Sequence, residues 1–215
     1  MDAAKGSETK VEPAPNTASK TPRTERGRKT LRKLLDASAI EFGERGFHEA
    51  SVSSITRRAG VALGTFYTYF DSKDALFKAL VQDMSDNVKS SARAALHDEM
   101  GAFEVERAAL HAFLEFVREH KEIYRIIDEA EFVDAESYRA HYQGIATLIE
   151  RRLKSGIEGG EFREGIGEVE AWALMGMNVF VGLKFAVWDS GGQDLGKMSA
   201  AVNRMLQTGI AADSK

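Results

Sequence analysis

From about Gly27 the apolar residues settle into a helical period. Leu31, Leu34, Leu35, Ala39 and Phe42 recur at the spacing of one buried face, with Arg32, Lys33, Asp36 and Glu41 elsewhere on the helix. Gly43 and Gly46, in the run EFGERGF, predict its end. Ser51 offers an N-cap for a short second helix with Val52, Ile55 and Ala59 inward. Ala59-Gly60-Val61 then makes a tight break before a third short helix, roughly 62–70. Asp71 and Ser72 can cap a fourth that starts at Lys73 and turns Leu76, Phe77, Leu80, Met84 and Val88 inward.

The remainder keeps the same period. Leu110, Phe113, Leu114 and Val117 form one stripe, which Ile123, Tyr124 and Ile127 continue; Tyr138, Tyr142, Ile145, Ile149 and Leu153 form another. A glycine-rich break covers 156–167, a strongly apolar helix is expected over about 168–189, and a last amphipathic helix follows the run SGGQD, over about 194–209. No strand-like alternation of useful length interrupts this, so the expected fold is all-α. The apolar stretch 171–188 barely reaches the roughly 20 residues that span a bilayer. It also carries Asn178 and Lys184, so a helix shared between a core and a subunit interface is expected, with no membrane partner.

Composition narrows the chemistry. The 215 residues are 43% hydrophobic and 29% charged, and contain no cysteine, which removes disulfides, thiolate metal sites and a cysteine nucleophile. The three prolines, Pro13, Pro15 and Pro22, all precede the first helix, in a polar stretch over 1–25 that cannot form an apolar face and is expected to be a disordered tail. That stretch lacks the apolar core of a secretory signal, and a cytoplasmic protein is expected. The net charge of -4 hides an asymmetry: thirteen cations against nine anions in residues 1–73, sixteen against twenty-four afterwards. A basic front and an acidic back suit a protein whose front alone meets a polyanion.

Two short helices joined by a glycine-containing turn form a helix-turn-helix, whose second helix can lie in the DNA major groove. Such a helix needs small or polar groups outside and apolar anchors behind. Phe66 and Phe70 can supply the anchors; Gly64, Thr65, Tyr67, Thr68 and Tyr69 can face outward, and their hydroxyls can donate to phosphate oxygens. Lys73 adds a charge at the start of the next helix, where helix N-termini already attract phosphate.

The segment from Arg28 to Leu76 resembles the DNA-binding domain of the TetR/AcrR family of bacterial transcriptional regulators. The resemblance rests on LLDASAIEFGERGFHEASVSSITRRAGV followed by GTFYTYFDSKDALF. It implies a homodimeric all-α repressor with a helix-turn-helix domain over 26–72, and an effector-binding and dimerisation bundle over 73–215. The front would bind a palindromic operator and the bundle a small molecule. It further implies DNA reading by the third helix, here Ala62, Leu63, Gly64, Thr65, Tyr67, Thr68 and Tyr69, with Ser51, Ser53 and Lys73 in support. Family members often carry polar residues where this chain has Ala62 and Leu63. Few bidentate base readers therefore remain, and the expected specificity leans on thymine-methyl contacts and DNA shape. The last two helices are expected to pair with their copies in a second subunit.

Large aromatics crowd the second half. Phe113, Tyr124, Tyr142, Trp172 and Met175 are the expected walls of a cavity for an apolar, aromatic or acyl effector. No metal or cofactor is expected, because none of the five histidines has a ligand spacing. No carboxylate pair or GxSxG elbow points to catalysis. Gly191 to Lys197 has the glycine and lysine spacing of a phosphate loop, but Met198 stands where a Ser or Thr would meet magnesium. A helical carrier or enzyme that keeps the three-helix front only as structure is the alternative.

Overall fold

A computed structural model of the chain describes residues 22–189 and 191–211. Of the tail expected over 1–25, positions 1–21 lie outside the described residues. Thr24 accepts a hydrogen bond from the Gly27 N–H at 3.1 Å and caps α1, Glu25–Glu49. The helical run breaks at Gly46, the second of the two glycines expected to end it: its φ of 82° (ψ 167°) suits glycine, and only 47–49 follow the kink. A Cβ on Gly43 would come within 2.5 Å of the Glu122 Cβ, and one on Gly46 within 2.5 Å of a Glu129 carboxylate oxygen.

Helix α2, Val52–Ala59, opens with a reciprocal cap in which Ser51 accepts from the Ser54 N–H at 3.0 Å and Ser54 accepts from the Ser51 N–H at 3.1 Å. Gly60, in the left-handed region at φ 66°, ends it. The short α3, Leu63–Tyr69, follows at once, and Ser72 caps α4, Lys73–Ala94. The aliphatic stripe expected to run on from Val117 is broken at His120. It gives α5, Ala102–Glu119, and α6, Glu122–Val133. Then come α7, Ala135–Glu158, α8, Glu168–Gly182, and α9, Leu195–Ile210, which Asp194 caps by accepting from the Lys197 N–H at 3.1 Å. The Gly191–Lys197 spacing thus belongs to a helix cap. Among the described residues the fold is all-α.

Packing does not divide at residue 73. Leu34 and Phe42 of α1, Ile55 of α2, Phe66 of α3, Leu76, Phe77 and Leu80 of α4 and Ile126 of α6 are all fully buried in one core. Phe77 stands edge-on to Phe42 at 5.2 Å and to Phe47 at 5.0 Å between centroids. Helix α4 belongs to both halves: its first turns carry the front, while Val88, Lys89 and Ala92 face the bundle formed with α5, α7 and α8.

The stretch Glu168–Trp188 is long and apolar enough to cross a bilayer by length and composition, with 28% buried. Its inner edge, Ala171, Leu174, Met175 and Gly182, is buried in the bundle, whereas Val169, Phe180 and Trp188 are exposed. From Leu183 to Trp188 the backbone widens into a π-helical turn, a feature that recurs at functional sites.

Candidate nucleic-acid interface and effector cavity

The front presents α3 on two aromatic anchors. Phe66 is fully buried and Phe70 nearly so, which fixes the opposite face outward. On that face Leu63 is 49% and Tyr67 52% exposed, and Ala62, Gly64 and Thr68 are exposed beside them. Thr65 and Tyr69 are half-buried at its edges. Ser51 and Ser53 are exposed at the start of α2, with the Ser51 side chain already used as a cap.

Lys73 has different partners from those expected of a phosphate contact. Its ammonium donates to the Phe47, His48 and Ala50 carbonyls at 2.6, 3.4 and 2.9 Å, and lies 4.4 Å from the Phe47 ring centroid. It closes the end of α1, where carbonyls would otherwise lack donors. Three further cations, Arg26, Lys29 and Lys33, line a surface groove with Glu25 and Thr30 beside Gly60 and Val61 of the turn, Lys29 pairing with Glu25 at 2.8 Å. The three-and-four spacing of Arg26, Lys29 and Lys33 on α1 was a legible signal of that basic edge.

Salt links hold α2 against α1. Arg58 donates from Nε to Glu41 and from its terminal nitrogen to Glu44, both at 2.7 Å. Burial pushes the Glu41 carboxyl up, but hydrogen bonds from Arg58 and Ser54 outweigh it and hold the group below the usual carboxylate range.

Behind this front lies a two-lobed cavity. The first lobe, about 60 Å³, is lined by α4 (Val88, Lys89, Ala92), α5 (Ala109, Phe113), α7 (Ile145, Leu148, Ile149, Arg152) and α8 (Met175, Asn178, Val179). The second, about 40 Å³, shares Val88, Phe113, Ile145 and Val179, and adds Ile123, Tyr124, Ile127, Asp128, His141 and Tyr142. Of the five expected wall residues, Phe113 lines both lobes, Met175 the first, and Tyr124 and Tyr142 the second. Trp172 lines neither. It is 38% exposed, because it lies off the buried edge of α8, and a helix apolar on nearly every face gives no period from which to tell its sides.

Several polar groups in the walls are tied down. The Tyr124 hydroxyl donates to the Val179 carbonyl at 2.5 Å, joining α6 to α8 one turn before the π-helical widening, and burial raises its pKa. Burial likewise pushes Tyr142 up to about 12. Ser85 and the Nδ1 of His141 share a buried hydrogen bond of 2.6 Å; burial, with the Lys89 charge nearby, lowers the imidazole to about 4. Arg152 grips Glu106 with two donors at 2.6 and 3.0 Å.

A clamp connects the cavity wall to the kink of α1. Arg125 of α6 donates to the Gly43 and Glu44 carbonyls, each at 3.1 Å, and Glu129 accepts from the Phe47 N–H at 2.6 Å.

The family model for "Bacterial regulatory proteins, tetR family" matches residues 34–80, from the middle of α1 into α4. Residues 34–80 carry a tetR-family DNA-binding domain. Members of the family are DNA-binding transcriptional regulators and not enzymes; they bind operators and small-molecule effectors, typically as dimers. The chain is 28% identical over 190 residues to the uncharacterized HTH-type transcriptional regulator YdgC of Bacillus subtilis, covering 86% of this chain and 94% of that one. Over 101 residues it is 37% identical to the HTH-type transcriptional activator FasR of Mycolicibacterium smegmatis, about half of each chain (47% and 46%). Among solved structures, the fatty acid degradation regulator FadR from Bacillus halodurans shares this fold, with a TM-score of 0.74 and 21% identity over 87% of this chain and 97% of that one.

Proposed function

We propose that two copies of this chain form a cytoplasmic repressor that seats α3 of each copy in successive major grooves and leaves DNA when an apolar acyl or aromatic effector enters the bundle. The outward face of α3 carries this reading: Leu63, Gly64, Tyr67 and Thr68 project from a helix pinned by Phe66 and Phe70. Ala62, Thr65 and Tyr69 flank them, Ser51 and Ser53 reach the backbone from α2, and Arg26, Lys29 and Lys33 add phosphate contacts along the edge. Lys73 supports the face from behind. For both α3 helices to dock, their separation must match one helical turn of DNA, about 34–36 Å. The exposed Val169, Phe180 and Trp188 on α8 and its π-helical end, and Met205 on α9, supply the apolar surface for such a dimer.

The effector class is supported by walls that are mainly apolar with a few polar groups, and by the fatty-acid regulator FadR among the structural relatives. Lobes of about 60 and 40 Å³ are far smaller than the roughly 300–1,000 Å³ of ligand-sized sites, so an effector must spread α4, α5, α7 and α8. It therefore binds the spread conformer better, and shifts the population by that difference in affinity. Full reversal from bound to released takes about 5.5 kcal/mol.

Electrophoretic shift on the DNA upstream of the gene tests the reading. Affinity should fall steeply with salt, as condensed counterions are released, and decanoic acid or an aromatic carboxylate should free the DNA. Tyr67→Ala with Thr68→Ala should weaken binding at least about tenfold with folding intact. Unchanged affinity in the double variant would remove α3 as the reader.

A further inference from the structure

One polar atom of the cavity wall is left over by the protein's own hydrogen bonding. Asn178 of α8 lines the first lobe, and its Oδ1 is buried and accepts no hydrogen bond among the described residues. Its neighbours in the lobe include Phe113, Ile149, Met175 and Val179, none of which has a side-chain donor. A buried acceptor without a donor carries its full desolvation cost, and a ligand that brings the donor cancels it. Two cations line the same lobe. Arg152 is neutralised by its paired bonds to Glu106, whereas Lys89, near His141, has among the described residues one carboxylate partner, the exposed Asp86, at 3.6 Å.

We propose that the cavity selects an amphiphilic carboxylate carrying its own hydroxyl or amide N–H, with that donor on Asn178 Oδ1 and the carboxylate on Lys89. This builds on the effector reading above and makes Asn178 the specificity-determining residue of that site. A plain acyl chain fills the apolar walls but leaves the amide oxygen unpaired. An uncharged ester gives Lys89 nothing. Sites that pair with a substrate hydroxyl reject the analogue lacking it for this reason. The rival arrangement is a structural one. Asn203 of α9 also has a buried Oδ1 without a donor, and both amides line the narrow crevice between α5, α8 and α9, where a single water could bridge them.

Calorimetric titration of the full chain separates the two. The probes are decanoic acid, its analogues hydroxylated at successive positions, and the methyl ester of each. The parent protein should bind the best-placed hydroxy acid at least about tenfold tighter than decanoic acid. Asn178→Leu should erase that preference, and Lys89→Gln should erase the preference for acid over ester. Ligand-free Asn178→Leu should also melt above the parent, because the unpaired oxygen is gone. A lower melting temperature with the hydroxyl preference intact assigns Asn178 to the water bridge and overturns the proposal. Equal binding of plain and hydroxylated acids by the parent overturns the donor assignment alone. If no member of the series binds the parent, the acyl reading of the effector fails, and this proposal with it.

Discussion

The two ends of α4 sit in contrasting surroundings. Its first turns bury Leu76, Phe77 and Leu80 completely among the rings and aliphatic groups of α1, α3 and α6. Two turns later, Ser85 and His141 share a buried hydrogen bond, Val88 and Lys89 border the cavity, and across the lobe an amide oxygen has no donor. In the proposed reading the front is a close-packed reader and the back a seam that an effector opens, with α4 crossing both so that movement at the seam is passed to the reader. Stability should be unevenly spread in the same way.

The largest test of that contrast is a pair of truncations. Phe77→Ala should cost about 3–5 kcal/mol, because rings packed on several sides cannot collapse into the space. Thermal unfolding followed by circular dichroism should show the loss, together with loss of operator binding. Phe113→Ala, at a half-buried wall that already borders free volume, should cost visibly less and mainly alter effector affinity. Equal costs would mean that the two ends are packed alike.

Between about pH 6.5 and 4, acid should act on the back through His141. His141 is ordinarily near 6.5 but is lowered to about 4, first by burial and then by the Lys89 charge. Between those two values the unfolded chain binds a proton that the folded chain refuses, so stability falls as pH drops through the window and levels off below it. The whole effect amounts to about 3 kcal/mol. Denaturant titrations at a series of pH values should show this slope in the parent, and a flatter one in His141→Gln. The same slope in both would place the acid sensitivity elsewhere.

Front and back also differed in how much of them could be read from sequence. The front is built from short-range rules: Ser51 and Ser72 cap, Gly60 turns, and Phe66 and Phe70 fall a helical turn apart, so α2, α3 and the start of α4 follow from local spacing. Of the outward set on α3, Gly64, Tyr67 and Thr68 followed for the same reason, while Thr65 and Tyr69 sit half-buried at its edges. Long-range partners did not. The sequence could not show that Gly43 leaves room for Glu122 of α6, or that the Lys73 ammonium turns back onto the carbonyls of 47, 48 and 50. Nor could it place Trp172 on the outside of α8. Four of the five expected wall residues do line the cavity, since bulky side chains on converging helices leave imperfect seams. The orphaned oxygen of Asn178 depends on what α5 and α9 fail to offer it, and no spacing encodes that.

The clamp between α6 and the kink of α1 is where the two regions meet, and its effect should be intermediate. Arg125→Ala removes two donors to the Gly43 and Glu44 carbonyls and the ion pair with Glu129 at 3.3 Å. The partly exposed setting limits the cost to about 1–2 kcal/mol. Operator affinity without effector should change little, while the effector concentration needed for release should rise several-fold, as the wall of the second lobe no longer pulls on α1. Loss of DNA affinity with release unchanged would make the clamp part of the reader.

The smallest effects separate two kinds of cation at the front. Each phosphate contact contributes about 0.9 to the slope of log affinity against log salt. Arg26→Gln should therefore lower the slope by about one and weaken binding a few-fold at moderate salt, without altering the melting temperature, since its side chain is exposed at the groove beside the turn. Lys73→Gln should do the reverse. Its ammonium is committed to carbonyls at 2.6 and 2.9 Å and to the Phe47 ring, so its loss should cost about 1 kcal/mol of stability and leave the slope in place. Fluorescence anisotropy across a salt series, beside thermal melts of the same samples, reads both quantities. A reduced slope for Lys73→Gln at unchanged stability would return that lysine to the DNA face, and would mean that the carbonyls at the end of α1 give it up when phosphate arrives.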